Sequence, residues 1–241
     1  MDVKLQKYVS DCGLMSRRAA EKEIAGGNFE INGVTANIGA LVDPDKDAVT
    51  YKGRPLNPSG ERKIYIMLNK PRGVVTTMND EKGRRNVADT VSEIGRRVYP
   101  VGRLDLNSEG LILMTNDGEF ANAVAHPSGN IKKVYRVTVR GKAENPQLDR
   151  IRVLRELEGE RIAPVEVEVK RRDENTSELE FILSEGKNRE IRRICESVGL
   201  YVKKLKRISL GPLRIGDLKP GEYRELTKTE LAAIKKAAGI K

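Results

Sequence analysis

Apolar residues recur along this chain at two spacings, and the shorter one dominates after the first quarter. Leu5, Tyr8 and Val9 give one turn of helical apolar spacing, closed by Gly13. Ser16 is a good N-cap for a second helix running from Arg17 to about Ala25, which Gly26-Gly27 ends. Phe29-Glu30-Ile31 and Val34-Thr35-Ala36 then flank Asn32-Gly33, a pair suited to the positive φ angles of a two-residue hairpin. Asn57-Pro58-Ser59-Gly60 reads as a linker. The pattern predicts a first domain over residues 1–58, a linker over 59–63 and a second domain over 64–241.

In the second domain the spacing predicts strands over 64–68, 111–115, 134–139, 165–170, 179–183 and 202–208. Helices are predicted over 119–125, 146–157 and 189–198. A last helix starts at Thr227, which forms a capping box with Glu230. Alternation of the Val-Glu-Val-Glu-Val type at 165–169 favours a half-exposed antiparallel sheet, its carboxylates on a solvated face. Strands and helices do not alternate with the regularity of a doubly wound fold, so the class is α+β, with a mixed, largely antiparallel sheet.

Charge narrows the partners. The formal net charge is +10, and a strongly basic chain suits a polyanion, usually nucleic acid. Residues 1–60 hold eight Lys/Arg and eight Asp/Glu, so the surplus lies beyond them. Residues 187–207 hold eight basic residues against two acidic ones. That segment is the expected electrostatic footprint, although a solvated helix-and-strand face would look similar. No apolar run is long enough to span a bilayer, and the first residues lack the apolar core of a secretory signal. Two distant cysteines, Cys12 and Cys195, and one histidine, His126, cannot assemble a zinc-type ligand set, so no metal is expected. Cys195 falls on the apolar side of its helix and reads as core. His126 precedes Pro127 and reads as a turn residue.

Three segments are unusual for purely structural sequence. Leu68-Asn69-Lys70-Pro71-Arg72-Gly73 is a strand that breaks at Pro71 and Gly73, which an ordinary turn would also do. Gly102-Arg103-Leu104-Asp105-Leu106-Asn107-Ser108-Glu109-Gly110 places polar groups in a glycine-bounded loop before an apolar strand. An Asp-capped turn is the structural competitor there. Ser184-Glu185-Gly186-Lys187-Asn188-Arg189-Glu190 leads from a strand into a basic helix. Lys187 could pair with a carboxylate and hold it ionised, or face solvent.

Taken in order, these segments resemble the RsuA/RluB-type ribosomal RNA pseudouridine synthases. The GRLD run at 102–105 is the most specific, supported by KPRG at 70–73, KVYRV at 133–137 and EGKNREIRRI at 185–194. Residues 1–56 are similar to the small RNA-binding domain of ribosomal protein S-four, and 62–238 to the catalytic domain. The resemblance implies that Asp105 is the catalytic aspartate, and that Arg103 fills the space left by an extruded uridine. It implies that Tyr135 packs on the target base and helps move the C5 proton, that Lys187 pairs with the catalytic carboxylate, and that Leu183 lines the base pocket. Lys at 187, where the family often has Arg, keeps the charge but loses bidentate pairing. Ile194 stands where Met is frequent. Lys70, Arg189, Arg192 and Arg193 are expected to bind the RNA substrate, and Lys7, Arg17, Arg18 and Lys22 to bind RNA through the N-terminal domain.

Isomerising uridine involves no redox change or group transfer, so no cofactor is expected. A single carboxylate suffices, and the missing second carboxylate argues against ordinary glycoside hydrolysis. The target base must be flipped out of folded RNA. The expected partner is ribosomal RNA, most like the large-subunit substrates of the B-type enzymes, with a soluble, cytoplasmic monomer and no membrane. Two alternatives stay open. One is the same chemistry on small-subunit rRNA or tRNA. The other is a non-catalytic RNA-binding ribosome-assembly factor, which would not require Asp105, Tyr135 and Lys187 together.

Overall fold

A computed structural model describes residues 1–57, 62–126 and 129–240. The chain separates into two compact units, residues 1–63 with 116–118, and residues 64–115 with 119–241. The expected linker at 57–60 falls largely outside the described residues. Among those described, no helix is long and apolar enough to cross a membrane.

The first unit follows its local signals closely. Helix Leu5–Asp11 is followed by helix Arg17–Ala25, whose N-cap Ser16 accepts a hydrogen bond from the Ala19 N–H at 3.1 Å. Asn32 (φ 53°) and Gly33 (φ 79°) turn strand Phe29–Ile31 into strand Val34–Thr35, the twist that a two-residue hairpin needs. Leu5, Val9, Ala20, Ile24, Phe29 and Val49 fill one small core. The Tyr8 hydroxyl donates to the Leu56 carbonyl at 2.9 Å, tying the end of the unit to its first helix.

The second unit is built on a 9-stranded sheet. Its main path runs Glu166–Arg172, Thr176–Leu183, Lys133–Arg140, Val202–Leu210, Glu109–Thr115, Tyr65–Lys70 and Tyr223–Glu225. The neighbours pair antiparallel except one: Lys206 and Arg207 run parallel to Glu109 and Gly110. This is the mixed α+β sheet expected. One apolar layer joins Leu68, Val137, Phe181, Leu183, Ile194 and Cys195; another joins Met67, Leu111, Leu113, Phe120, Leu210 and Ile234. Layers on both sides explain why Tyr65–Lys70 and Glu109–Thr115 are almost continuously buried. The Val-Glu alternation sits on the outer strand, where Glu166 and Glu168 face solvent and pair with Lys132 and Lys170.

Helix Val87–Thr90 and strands Tyr99–Val101 and Tyr223–Glu225 were not expected, and one expected helix ends early. The helix predicted over 146–157 stops at Val153, because Leu154 is extended and Glu158-Gly159 (φ 52° and 79°) form a tight turn. Residues 156–157 and 160–161 pair as a short hairpin instead. A Glu-Gly turn without flanking alternation is easily read through as helix, since Glu favours helices.

Candidate active site

The loop bearing Asp105 is fixed from several directions. Thr76 Oγ1 donates to the Leu104 carbonyl (2.7 Å) and accepts from the Leu104 N–H (3.2 Å). The Gly73 N–H donates to the Leu106 carbonyl at 2.8 Å, so the turn after Pro71 braces the loop. The Ser108 N–H closes the loop onto the Asp105 carbonyl at 3.0 Å. At its exit Gly110 (φ 111°) lies so close to the next strand that a Cβ would strike the Arg207 backbone. Leu104 is buried in the core, while Arg103 and Asp105 line a cleft of about 320 Å³.

Strand pairing completes the cleft. Tyr135 sits across from Phe181 on one neighbouring strand and from Arg207 on the other, and Leu183 sits across from Lys133. Tyr135 and Leu183 are buried and line the same cleft as Asp105. Residues far apart in sequence therefore converge on one concave site, the geometry expected of a small-molecule or base pocket. Among the described residues, no cluster of His, Cys, Asp or Glu is placed to hold a metal ion.

The structure redistributes the basic residues. Lys187 lines the cleft, but its ammonium pairs with Glu160 at 3.1 Å and donates to the Arg161 carbonyl, so the expected Lys187–Asp105 pair is not formed. The Asp105 charge acts on Lys70 and Arg192. Arg192 donates from Nη2 to the Asn107 carbonyl at 2.8 Å, which links its helix directly to the Asp105 loop. Lys70, expected to bind substrate, is instead fully buried. Its ammonium donates to the carbonyls of Val74 (2.7 Å) and Pro71 (2.9 Å), a structural brace out of reach of RNA. Burial pushes its pKa down to about 8, against the opposing pull of Asp105 and Glu109. Arg193, also expected to bind substrate, is turned onto the 156–161 hairpin, with Glu158 at 2.9 Å and Glu160 at 3.4 Å. Arg189 is exposed on the cleft rim, with φ 50° at the helix start. In the first unit Arg17, Arg18 and Lys22 are exposed, while Lys7 is paired with Asp11 at 2.7 Å.

The cleft lining also includes Ser108, Lys133, Glu190 and Arg207, to which the sequence assigned no individual role. Burial pushes Lys133 down and raises Glu190 to about 6. A signal for Arg207 does exist. Leu205, Arg207 and Ser209 occupy the buried phase of one strand, so two polar residues point where apolar ones normally would.

Residues 64–197 match the family described as RNA pseudouridylate synthase. Over the whole chain, the protein is 40% identical to an uncharacterized RNA pseudouridine synthase of Aquifex aeolicus, covering 97% of that protein. It is 37% identical to the ribosomal large subunit pseudouridine synthase B of Bacillus subtilis, covering 98% of this chain and 96% of that one. A crystal structure of a pseudouridylate synthase superposes with a TM-score of 0.68 at 26% identity, over 96% of this chain and 99% of the other.

Proposed function

Because the chain belongs to the RNA pseudouridine synthase family, which isomerises uridine to pseudouridine in RNA, we propose that its cleft holds one flipped-out uridine and that Asp105 carries the reaction. The observation that supports this reading is the convergence of Asp105, Tyr135 and Leu183 on a single cleft. Isomerisation breaks the C1′–N1 bond, turns the uracil and joins C5 to C1′. C5 loses a proton and N1 gains one, so the product has the formula of the substrate. The Asp105 carboxylate, which lines the cleft, supplies negative charge where the sugar becomes electron-deficient. Arg192, anchored on the Asn107 carbonyl, keeps a compensating cation beside that loop in place of Lys187.

Tyr135 and Leu183 offer an apolar wall to the uracil ring, and the Tyr135 hydroxyl is the group suited to move the C5 proton. Taking a base out of its stack costs a few kcal/mol, which Arg103, exposed at the cleft rim, offsets by occupying the space the base leaves. Arg189 holds phosphates at the same rim. The first unit is read as an S-four-like RNA-binding domain that positions the RNA through Arg17, Arg18 and Lys22. Similarity to the Bacillus subtilis enzyme along nearly the full chain supports large-subunit rRNA as the substrate. Pseudouridine mapping in total RNA from cells with and without the gene, repeated with purified protein on ribosomal RNA transcripts, tests this. A single large-subunit position that depends on the protein is expected. Identical maps would sink the reading, and a dependent site in another RNA would correct the substrate.

A further inference from the structure

Three cleft side chains, each more than nine-tenths buried, hold a polar atom with no hydrogen-bond partner among the described residues: Ser108 Oγ, Glu190 Oε1 and Arg207 Nη2. Each is held from behind by its own backbone setting. Glu190 accepts the Lys187 N–H on its other oxygen at 2.9 Å. Arg207 donates from Nε to the Leu111 carbonyl at 2.7 Å. Ser108 closes the Asp105 loop through its N–H. Burying three polar atoms without partners is costly, by about 1–3 kcal/mol each, and their grouping in one cleft argues for a ligand that completes them.

The set is one acceptor with two donors. The edge of uracil carries the complement, an N3–H donor flanked by the O2 and O4 carbonyls. We propose that Glu190 Oε1 accepts the N3–H of the bound uracil while Arg207 and Ser108 donate to its carbonyls, making Glu190 a specificity-determining residue. Cytosine has an acceptor at N3, and would leave the carboxylate facing a lone pair. Glu185 lies beside Glu190 and helps raise its pKa. The two carboxylates already accept the N–H groups of Lys187 and Ala163, and the base N–H adds a further donor at the remaining Glu190 oxygen. Lys133, drawn toward both carboxylates and repelled by Arg207, balances the charge of the group.

The assignment rests on the cleft being the uridine site, and its test separates the two. The probes are a synthetic RNA carrying the mapped target uridine and the same RNA with N3-methyluridine there. Single-turnover kcat/KM is measured for each with wild type, Glu190→Ala, Glu190→Gln and Ser108→Ala. Wild type is expected to prefer uridine by roughly 10- to 100-fold, the range of a hydrogen bond to a charged group. In Glu190→Ala the preference falls to within about 3-fold. Glu190→Gln keeps the shape with a neutral acceptor, so its preference is intermediate, and it carries the test if the alanine variant does not fold. Ser108→Ala weakens both RNAs alike and leaves the ratio at the wild-type value. A wild-type ratio in both Glu190 variants overturns the assignment and means that solvent satisfies these groups. Absence of wild-type turnover on the uridine RNA overturns the functional reading instead.

Discussion

Asp105 carries the proposed chemistry, and an amide in its place keeps the shape while losing the charge. Asp105→Asn is expected to lower single-turnover isomerisation by about 10³-fold or more with RNA affinity nearly unchanged; the pseudouridine formed in the RNA by the purified variant measures it. Lys187 and Arg192 differ in what they hold. Lys187 is committed to Glu160, a pair of the partly exposed kind worth up to about 1 kcal/mol, so Lys187→Met is expected to cost no more than several-fold. Arg192→Met removes both the charge felt by Asp105 and the anchor on Asn107, and is expected to cost about 10²-fold or more. Equal losses in a side-by-side rate measurement would reverse that ranking. Glu190 gives a pH signature. Burial raises its pKa from the usual 4.5 to about 6, so the folded state holds the proton more tightly than the unfolded chain. That contribution to stability is complete below about pH 4.5 and is lost as the pH rises through 6. The groups facing it are Glu185, Lys133 and the Lys187 segment. Glu190→Gln, neutral throughout, should gain on wild type across this window by on the order of 1 kcal/mol, read from denaturation midpoints at pH 4.5 and 7.

Among elements, the parallel contact between Glu109–Thr115 and Val202–Leu210 matters most, because it joins the Asp105 loop to the strand bearing Arg207. The contact depends on Gly110, whose φ of 111° and close approach to the Arg207 backbone leave no room for a side chain. Gly110→Ala should destabilise the fold by more than about 2 kcal/mol, measured by chemical denaturation. A melting curve matching wild type would show that the two strands can separate without loss. The helix over Glu190–Ser197 works in the same way. Its buried face sets Ile191, Ile194 and Cys195 into the core, and burial raises the Cys195 thiol to about 12, which makes that cysteine a packing residue. Arg192 on this helix reaches the Asn107 carbonyl of the Asp105 loop, and the N-cap residue Arg189 lines the cleft.

For the whole molecule, RNA positioning is proposed for the first unit and chemistry for the second. The first unit has a core of modest size and exposes Arg17, Arg18 and Lys22 around one capped helix start. Each phosphate contact released changes the slope of log affinity against log salt by about 0.7–0.9. Replacing all three by Gln should therefore make the slope shallower by roughly 2 to 3. The rate at saturating RNA should stay near wild type, since tethered sites raise effective concentration without altering the reactive one. A collapse of that saturated rate with unchanged salt slope would assign the first unit to the catalytic machinery.

Local structure was legible in the chain because it depends on local chemistry. Ser16 and Thr227 cap their helices, Asn32-Gly33 turns its hairpin, and alternation marks the outer strand. The order of the motifs was enough to identify the family. The partners of charged groups were another matter, because a lysine or arginine in sequence carries no record of what faces it after packing. Lys70 stands in a strand covered on both faces, where the two-residue period cannot tell inside from outside. Arg193 and Lys187 found Glu158 and Glu160 only because a Glu-Gly turn folded that hairpin against them. The group of Ser108, Glu190 and Arg207 comes from a loop, a helix start and a strand, brought together by one parallel pairing and one helix packing. Sequence thus determined the elements and the family, while tertiary structure decided which charges meet, since electrostatic partnership depends on distances between segments remote along the chain.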